Sequence, residues 1–177
     1  MRLPIPSQEY LRQCMSYDPE TGVLTGLKRP DSHFPSPHVA AIWNAKFFGN
    51  TLGKIDREGY VLIGMDRKRY RAHRLIWMLV YGEDLGQLDP DHINRVKSDN
   101  RFLNLRKATR QQNSFNGPAR ANNTSGVKGV GLFKNKWRAR IKVDGRSIHL
   151  GLFTNKEDAA LAVRAAALAH HGEFANF

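Results

Sequence analysis

The residues best suited to chemistry lie in one stretch, 91–116. Asp91 and His92 are adjacent at its start, Asn104 and Asn113 follow, and basic side chains fill the intervals. Carboxylate and carboxamide oxygens are hard ligands that suit Mg²⁺-like ions. An imidazole can take up a proton near neutral pH. On a basic background, these groups predict metal-assisted attack of water on a phosphodiester.

The local pattern places these residues on a hairpin followed by a helix. Residues 88–94 are short and flanked by turn formers, which indicates a strand or the end of one, and 95–100 is polar and loop-like. Residues 104–108 can return as a second strand. Thr109 then begins a Thr-x-x-Gln capping box, which predicts a helix start. Asn113 falls on the first full turn of that helix, facing back toward the hairpin.

Four short segments carry a resemblance to a known family. They are Asp91-His92-Ile93-Asn94, Asp99-Asn100-Arg101, Asn104-Leu105-Arg106 and Asn113-x-x-Asn116. Together they resemble the HNH endonuclease motif of the phage homing type. The resemblance implies a ββα-metal fold in which His92 is the general base. It also implies that Asp91 and Asn113 hold a divalent metal, Mg²⁺ first and Mn²⁺ second, while Asn104 braces the hairpin and the base.

A turn carboxylate beside a surface imidazole is the plain alternative for Asp91 and His92. The asparagine spacing favours the nuclease over that alternative. His73 precedes the motif in a His-Arg-Leu-Ile-Trp segment that resembles the one commonly found before it in phage HNH proteins. The preferred interpretation of His73 is a structural histidine at a helix start. The alternative is that His73 contacts the site or DNA.

The amino-acid composition indicates which class of partner the chain binds. The net charge is +12, and residues 117–177, with 10 Lys+Arg against 4 Asp+Glu, carry half of that surplus. This charge favours a polyanion, and we expect double-stranded DNA rather than a membrane, because no long basic amphipathic helix is visible. Cys14 is the single cysteine, which excludes a disulfide framework and a Cys-based structural zinc site. We expect a monomer in a reducing cytoplasm, that of a bacterial host if the chain is phage-encoded.

The chain is expected to be α+β and to divide into four segments. They are an N-terminal α+β region at 1–58, a nuclease module at 59–116, a linker at 117–126 and a DNA-binding domain at 127–177. Small, polar and turn-forming residues predict the linker. Within the nuclease module, 59–74 reads as a hairpin and 73–81 as a helix that Gly82 can end.

The C-terminal segment has the pattern of a small sheet followed by a helix. Residues 127–133, 136–143 and 146–153 read as strands, with an Asp-Gly hairpin turn between the last two. A Thr-x-x-Glu capping box at Thr154 predicts the start of an alanine-rich helix that runs to His171. A helix on one face of the sheet leaves the other face for a DNA groove.

This segment resembles an AP2 DNA-binding domain. The resemblance rests on Ser125-Gly126-Val127-Lys128-Gly129-Val130, Lys136-Trp137-Arg138-Ala139-Arg140-Ile141, His149-Leu150-Gly151-Leu152-Phe153 and His171-Gly172-Glu173-Phe174-Ala175-Asn176. It implies that the sheet enters the major groove. The candidate DNA-binding residues are Lys128, Lys134, Lys136, Trp137, Arg138, Arg140, Lys142, Arg146 and His149. Gly131 replaces a family arginine and His149 a tryptophan, so the plant-type target sequence does not carry over.

Three alternative functions are consistent with these sequence features. The first is a homing-type HNH DNA endonuclease that leaves 5′-phosphate and 3′-hydroxyl ends, with the C-terminal domain targeting DNA. The second is a non-enzymatic DNA-binding regulator with an inert HNH fold, and the third is a ribonuclease. Every catalytic position that maps is filled, which argues against the second. The AP2 resemblance argues for DNA over RNA.

Overall fold

The computed structural model describes residues 3–177 and confirms the α+β class, with several small antiparallel sheets. It divides into two compact units, the first ending at Ala108 and the second running from Thr109 to Phe177. Short 3₁₀ helices occur at Asp31–His33, Phe102–Asn104 and Gly172–Phe174. None of the helices within 3–177 is long and apolar enough to cross a membrane.

The first unit combines three helices with three small sheets. The helices are Gln8–Cys14 (α1), Pro37–Phe47 (α2) and Ala72–Tyr81 (α3). The strands are Met15–Tyr17 (β1), Leu24–Gly26 (β2), Lys54–Ile55 (β3), Val61–Met65 (β4), Lys68–Arg71 (β5), Asp89–His92 (β6) and Leu105–Ala108 (β7). The sheets are β1-β2, β3-β4-β5 and β6-β7, all antiparallel.

Helix α3 is the centre of the first core. Its sequence has neither glycine nor proline, and seven of its ten residues are buried, with Leu75 and Ile76 fully so. They pack in one cluster with residues of α1 such as Leu11, and burial of this kind contributes roughly 1.5–3 kcal/mol for each large apolar side chain. The helix ends at Gly82 in the left-handed conformation (φ 66°), where the Gly82 N–H donates to the Met78 carbonyl at 2.9 Å. The predicted hairpin, helix and terminator are confirmed.

The second unit is a three-stranded sheet with two helices. Its helices are Arg110–Asn116 (α4) and Lys156–His171 (α5), and its strands are Val130–Phe133 (β8), Lys136–Val143 (β9) and Arg146–Phe153 (β10). The strand order is β10-β9-β8. Val130, Ala139, Ala159 and Val163 form the core between the sheet and α5.

The predicted turn and one of the two predicted helix caps are confirmed. Asp144 and Gly145 have φ angles of 46° and 78° and join β9 to β10, as their turn chemistry predicts. Thr109 and Gln112 form the capping box of α4. The capping box predicted at Thr154 is wrong, because Asn155 is the cap of α5 and accepts from the Asp158 N–H. An asparagine is at least as good an N-cap as a threonine, so the helix begins one residue later.

The observed division lies at Ala108/Thr109 rather than within 117–126. The segment expected to be a linker is instead hydrogen-bonded into the second unit. Ser125 is buried, and its hydroxyl donates to the Val130 carbonyl at 2.9 Å. The Asn123 carboxamide donates to the Val127 carbonyl at 2.8 Å. Small polar residues have linker composition, but here their side chains satisfy backbone carbonyls of a turn.

Candidate active site and nucleic-acid interface

The β6-β7 hairpin positions the acid and the imidazole. The register places Arg106 opposite Asp91 and Leu105 opposite His92. Side chains directly opposite on an antiparallel pair share a face, whereas neighbours along a strand point to opposite faces. Asp91 therefore meets Arg106, and its Oδ2 accepts from Nε at 3.1 Å and from Nη2 at 3.0 Å. Both Asp91 and His92 are only 4% exposed.

The His92 ring is held by the loop that follows it. Its Nε2 lies 3.1 Å from the carboxamide oxygen of Asn100, which is also buried. Because an amide oxygen only accepts, this contact makes Nε2 the protonated nitrogen of the neutral ring. Burial lowers the pKa of His92, and the Asn100 hydrogen bond opposes that shift. The neutral ring is a form that can accept a proton.

The Asn104 carboxamide braces the same loop. Its Nδ2 donates to the Asn94 side-chain oxygen at 3.0 Å and to the Asp99 carbonyl at 2.7 Å. Its oxygen accepts from the Asn94 backbone N–H at 2.9 Å. Asp99 is bound in turn by the Arg101 guanidinium, at 2.8 and 2.6 Å, and this contact is the main cause that holds the pKa of Asp99 well below its usual range. Asn104 thus spans both ends of the loop beside His92.

A second histidine lies against the first. His73, in the first turn of α3, is 4% exposed, and its ring meets that of His92 edge-on at 5.0 Å between centroids. Burial holds the pKa of His73 well below its ordinary value, and the His92 charge acts in the same direction. His73 is therefore both a buried helix-start histidine and a neighbour of the candidate base.

The structure adds partners that sequence reasoning did not assign. These are Arg106 for Asp91 and Asn100 for His92, whereas His73, for which contact with the site was one of two interpretations, is a ring neighbour of His92. Arg106 and Asn100 lie inside the segments that resemble the HNH motif, but residue type and spacing indicated no specific role for either residue. Residue type alone does not say which carboxamide reaches the ring.

Asn113 lies on α4 in the second unit, where its backbone N–H donates to the Thr109 carbonyl at 2.9 Å. Its approach to Asp91 stays a prediction from spacing. Within 3–177 there is no group of three or more His, Cys, Asp or Glu side chains that could hold a metal. The expected ligand set has a single acidic residue and a carboxamide, so such a group is not what it requires.

The outer face of the second-unit sheet is cationic. Alternation along β9 turns Arg138 and Arg140 outward, while Ala139 and Ile141 are buried against α5. The register places His149 beside Arg140 on that face. A shallow groove of about 370 Å³ is lined by Phe133, Arg138, Arg140, Ser147, His149 and Leu152. Lys136 and Lys142 are exposed and belong to the same alternating set.

Two of the expected DNA-binding residues, Trp137 and Lys128, lie away from this outer face. Trp137 is on the α5 side and packs against the second core, so it is a packing residue rather than part of the outer face. The Lys128 ammonium donates to the carbonyls of Ser114, Phe115 and Gly117 at 2.9, 2.7 and 2.7 Å. It therefore caps the C-terminus of α4, where a cation is favoured.

Arg146 and Lys134 complete the set. Arg146 pairs with Val143 in the register and so projects from the α5 side, although it is exposed. Lys134 stands in the β8-β9 turn with φ 45°, and its ammonium lies 5.8 Å from the Phe133 ring centroid. The outer face is thus formed by the outward-facing residues of β9 and of its neighbouring strands β8 and β10, with Lys134 in the turn between β8 and β9.

Comparison with known families agrees with this geometry. Residues 70–115 match the family model described as HNH endonuclease, a span that runs from β5 into α4. The matched residues 70–115 are similar to an HNH endonuclease segment. The span includes His73, Asp91, His92, Asn104 and Asn113, and it ends before the sheet of the second unit. The AP2 resemblance of residues 127–177 stays a prediction.

Two individual proteins are similar to the chain. An uncharacterized HNH endonuclease, L560, from Acanthamoeba polyphaga mimivirus is 31% identical over 122 residues, which are 68% of this chain and 63% of that protein. The chain thus spans less than two thirds of that relative. A solved structure of the HNH homing endonuclease I-HmuI, described for its DNA binding and cleavage, aligns over 96% of this chain and 91% of its own, with 19% identity and a TM-score of 0.42.

Proposed function

We propose that the chain is a metal-dependent HNH DNA endonuclease of the homing type. It hydrolyses phosphodiester bonds to 5′-phosphate and 3′-hydroxyl ends, and residues 127–177 bind double-stranded DNA. One observation carries the proposal: a buried neutral His92, beside Asp91 and held by a braced loop, lies inside the HNH segment. A turn carboxylate with a surface imidazole would have left both side chains exposed.

His92 accepts the proton in this mechanism. The water oxygen forms a bond to phosphorus in line with the 3′ oxygen, the proton passes to the imidazole, and the P–O3′ bond breaks. The leaving oxygen then takes a proton from solvent. Asn100 orients the ring through its contact with Nε2, and Asn104 holds the loop that carries Asn100.

The proposed metal ligands are Asp91 and Asn113, by spacing and family resemblance. Their hard oxygens suit Mg²⁺ or Mn²⁺. The bound ion supplies stabilisation of the negative charge that develops on the phosphate and on the leaving oxygen. Arg106 orients the Asp91 carboxylate through two hydrogen bonds to its Oδ2.

The charge distribution supports DNA as the substrate. The outer face of the second-unit sheet presents Arg138, Arg140 and Lys142 in alternation, with aromatic and apolar side chains in the groove between them. A basic, exposed strand face of this kind is complementary to the phosphates that line a groove.

Supercoiled plasmid provides the decisive test. With Mg²⁺ the chain is expected to produce nicked or linear forms, and a chelator is expected to abolish them. Loss of a general base costs ~10²–10⁴-fold in rate, so His92→Ala should bind DNA normally and cut that much more slowly. His38→Ala, an exposed histidine at the start of α2, is the matched control and should cut normally.

The competing functions give different results in the same assay. Binding without any metal-dependent nicking would indicate a DNA-binding regulator. Faster hydrolysis of an RNA duplex or hairpin than of DNA would indicate a ribonuclease. Wild-type cleavage rates in purified His92→Ala protein would overturn the proposed role of the imidazole.

A further inference from the structure

Two cationic side chains meet on one aromatic ring beside the candidate base. The guanidinium carbon of Arg71 lies 3.8 Å from the Tyr60 ring centroid, and the Lys97 ammonium lies 4.8 Å from the same centroid. The Tyr60 ring is 6.1 Å from the ring of His92, centroid to centroid. All four side chains belong to the first unit.

The cluster is built from three separate segments. Tyr60 follows a tight turn in which the Asp56 carboxylate accepts from the backbone N–H of Glu58 and Tyr60, at 2.8 and 2.9 Å. Arg71 is the last residue of β5, and Lys97 comes from the loop after His92. Glu58 joins them, since its carbonyl accepts from Lys97 at 2.8 Å and its carboxylate from Arg71 at 2.7 Å. Both cations are thereby held on a preorganised platform.

The two cations of this cluster have different partners on Glu58. The Glu58 carboxylate pairs with Arg71, whereas the Lys97 ammonium donates to the Glu58 backbone carbonyl. The side chains of Arg71 and Glu58 are 40% and 65% exposed, so water screens that ion pair and it adds little to folding. The Lys97 ammonium is hydrogen-bonded to a carbonyl rather than to a carboxylate, and both cations lie on one ring, so a phosphate oxygen can add a charge-assisted hydrogen bond there.

We propose that Arg71 and Lys97, supported by Tyr60, bind a backbone phosphate of the DNA next to the bond that His92 serves. The planar guanidinium offers two donors to phosphate oxygens and the ammonium adds a point charge, while the aromatic face restricts both side chains. Arg71 and Lys97 are positioning residues for the cleavage reaction. The assignment rests on the proposed function for the reaction, but phosphate binding itself does not require cleavage.

Salt dependence of binding provides the direct readout. Binding to duplex DNA is measured in chelator, so that no cleavage occurs, for wild type, Arg71→Ala and Lys97→Ala over a series of salt concentrations. Each lost phosphate contact lowers the slope of log K against log [salt] by about 0.9, and both variants are expected to show that drop. Arg12→Ala removes an exposed cation from α1 and should leave the slope unchanged. Thermal melting verifies that each variant is folded.

Glu58→Gln separates phosphate binding from a purely structural ion pair. This substitution removes the carboxylate but keeps the turn, Tyr60 and both cations. It is expected to keep the wild-type slope, whereas a structural pair predicts the same loss as Arg71→Ala. In Mg²⁺, Arg71→Ala and Lys97→Ala should each nick plasmid about tenfold or more slowly, because misplacement at a reacting phosphate is costly.

The outcomes are distinguishable from those of the proposed function. Reduced slopes in both variants, with an unchanged Glu58→Gln slope, support the site even if the chain never cuts DNA. A full wild-type slope in either cation variant overturns the two-cation site even if the chain is an active nuclease. A Glu58→Gln slope reduced as far as that of Arg71→Ala also overturns it.

Discussion

The Arg106 guanidinium donates two hydrogen bonds to one oxygen of the buried Asp91 carboxylate, at 3.1 and 3.0 Å. The side chains are 11% and 5% exposed, so water contributes little to their solvation. This pair is the product of the β6-β7 register, which places the two residues opposite each other. It provides the positive charge that a buried carboxylate requires.

Arg106→Ala leaves the Asp91 carboxylate without its guanidinium. Removing one partner of a buried pair costs about 3 kcal/mol, so we expect a clear fall in melting temperature in chelator. Mg²⁺ should raise the melting temperature of this variant more than that of wild type, because the ion supplies the missing positive charge. Lys107→Ala breaks a surface pair with Glu83 and serves as control, with little expected change. Equal Mg²⁺ shifts in wild type and Arg106→Ala would contradict a metal at Asp91.

Asn104→Ala removes the carboxamide that spans the loop after His92. Three hydrogen bonds to the partly buried loop are lost, and each contributes roughly 0.5–1.5 kcal/mol. Cleavage should slow, but less than in His92→Ala, because the imidazole itself remains. The neighbouring Leu103 is 90% exposed, so Leu103→Ala should not alter stability. Thermal melts and plasmid nicking measure both effects, and equal melting of the two variants would argue against the brace.

The outer face and the inner face of the second-unit sheet should respond differently to substitution. Arg140→Glu is expected to weaken DNA binding and make it less salt-dependent, by about one unit of slope, without a change in melting temperature. Trp137→Ala should lower the melting temperature, because the indole packs on the second core. Binding by folded Trp137→Ala protein should retain the wild-type slope. Unchanged affinity in Arg140→Glu would show that this face does not contact DNA.

Burial of His73 links stability to pH. Its pKa is lower in the folded protein than in the unfolded chain, so above about pH 6.5 the ring is neutral in both states and has no effect. As the pH falls below that value, the unfolded chain binds a proton that the folded protein rejects, and stability is lost. The charges of His92, Arg71 and Arg74 all act in the same direction.

The measurement is the melting temperature between pH 7.5 and pH 5. Wild type should lose stability as the pH falls, and His73→Gln should lose less over the same range. His38→Gln replaces an exposed histidine at the start of α2 and is the control, with a profile that should parallel that of wild type. A His73→Gln profile with the full wild-type slope would mean that another group takes up the proton.

Several features of the fold followed from local signals. Three of these features depend only on the backbone of a few adjacent residues, so they can be predicted from the sequence. They are the glycine after α3, the capping box at Thr109 and the Asp144-Gly145 turn. The alternation of basic and apolar residues along β9 was equally visible, because a strand has a period of two. The HNH segment was recognisable because the spacing of its residues follows from the same hairpin and helix.

For other residues the structure shows contacts that the sequence alone did not reveal. Lys128 looked like a DNA contact by its charge, yet its ammonium caps α4, 11 to 14 residues earlier. Trp137 is adjacent to Arg138 in the sequence but packs on the second core, since strand alternation places neighbours on opposite faces. The expected linker has the composition of one, yet its side chains satisfy the carbonyls of the second unit.

Residue types and spacing, together with the family resemblance they carry, thus predicted the candidate base, its acidic neighbour and the brace, and local signals predicted helices and turns around them. Only the tertiary structure decided that Arg106 neutralises Asp91, that Asn100 and His73 contact His92, and that Tyr60 gathers two cations beside it. The physical reason is that propensity and capping act over a few residues of one segment. Strand register and packing instead select one partner among many of the same type, and that choice requires the folded chain.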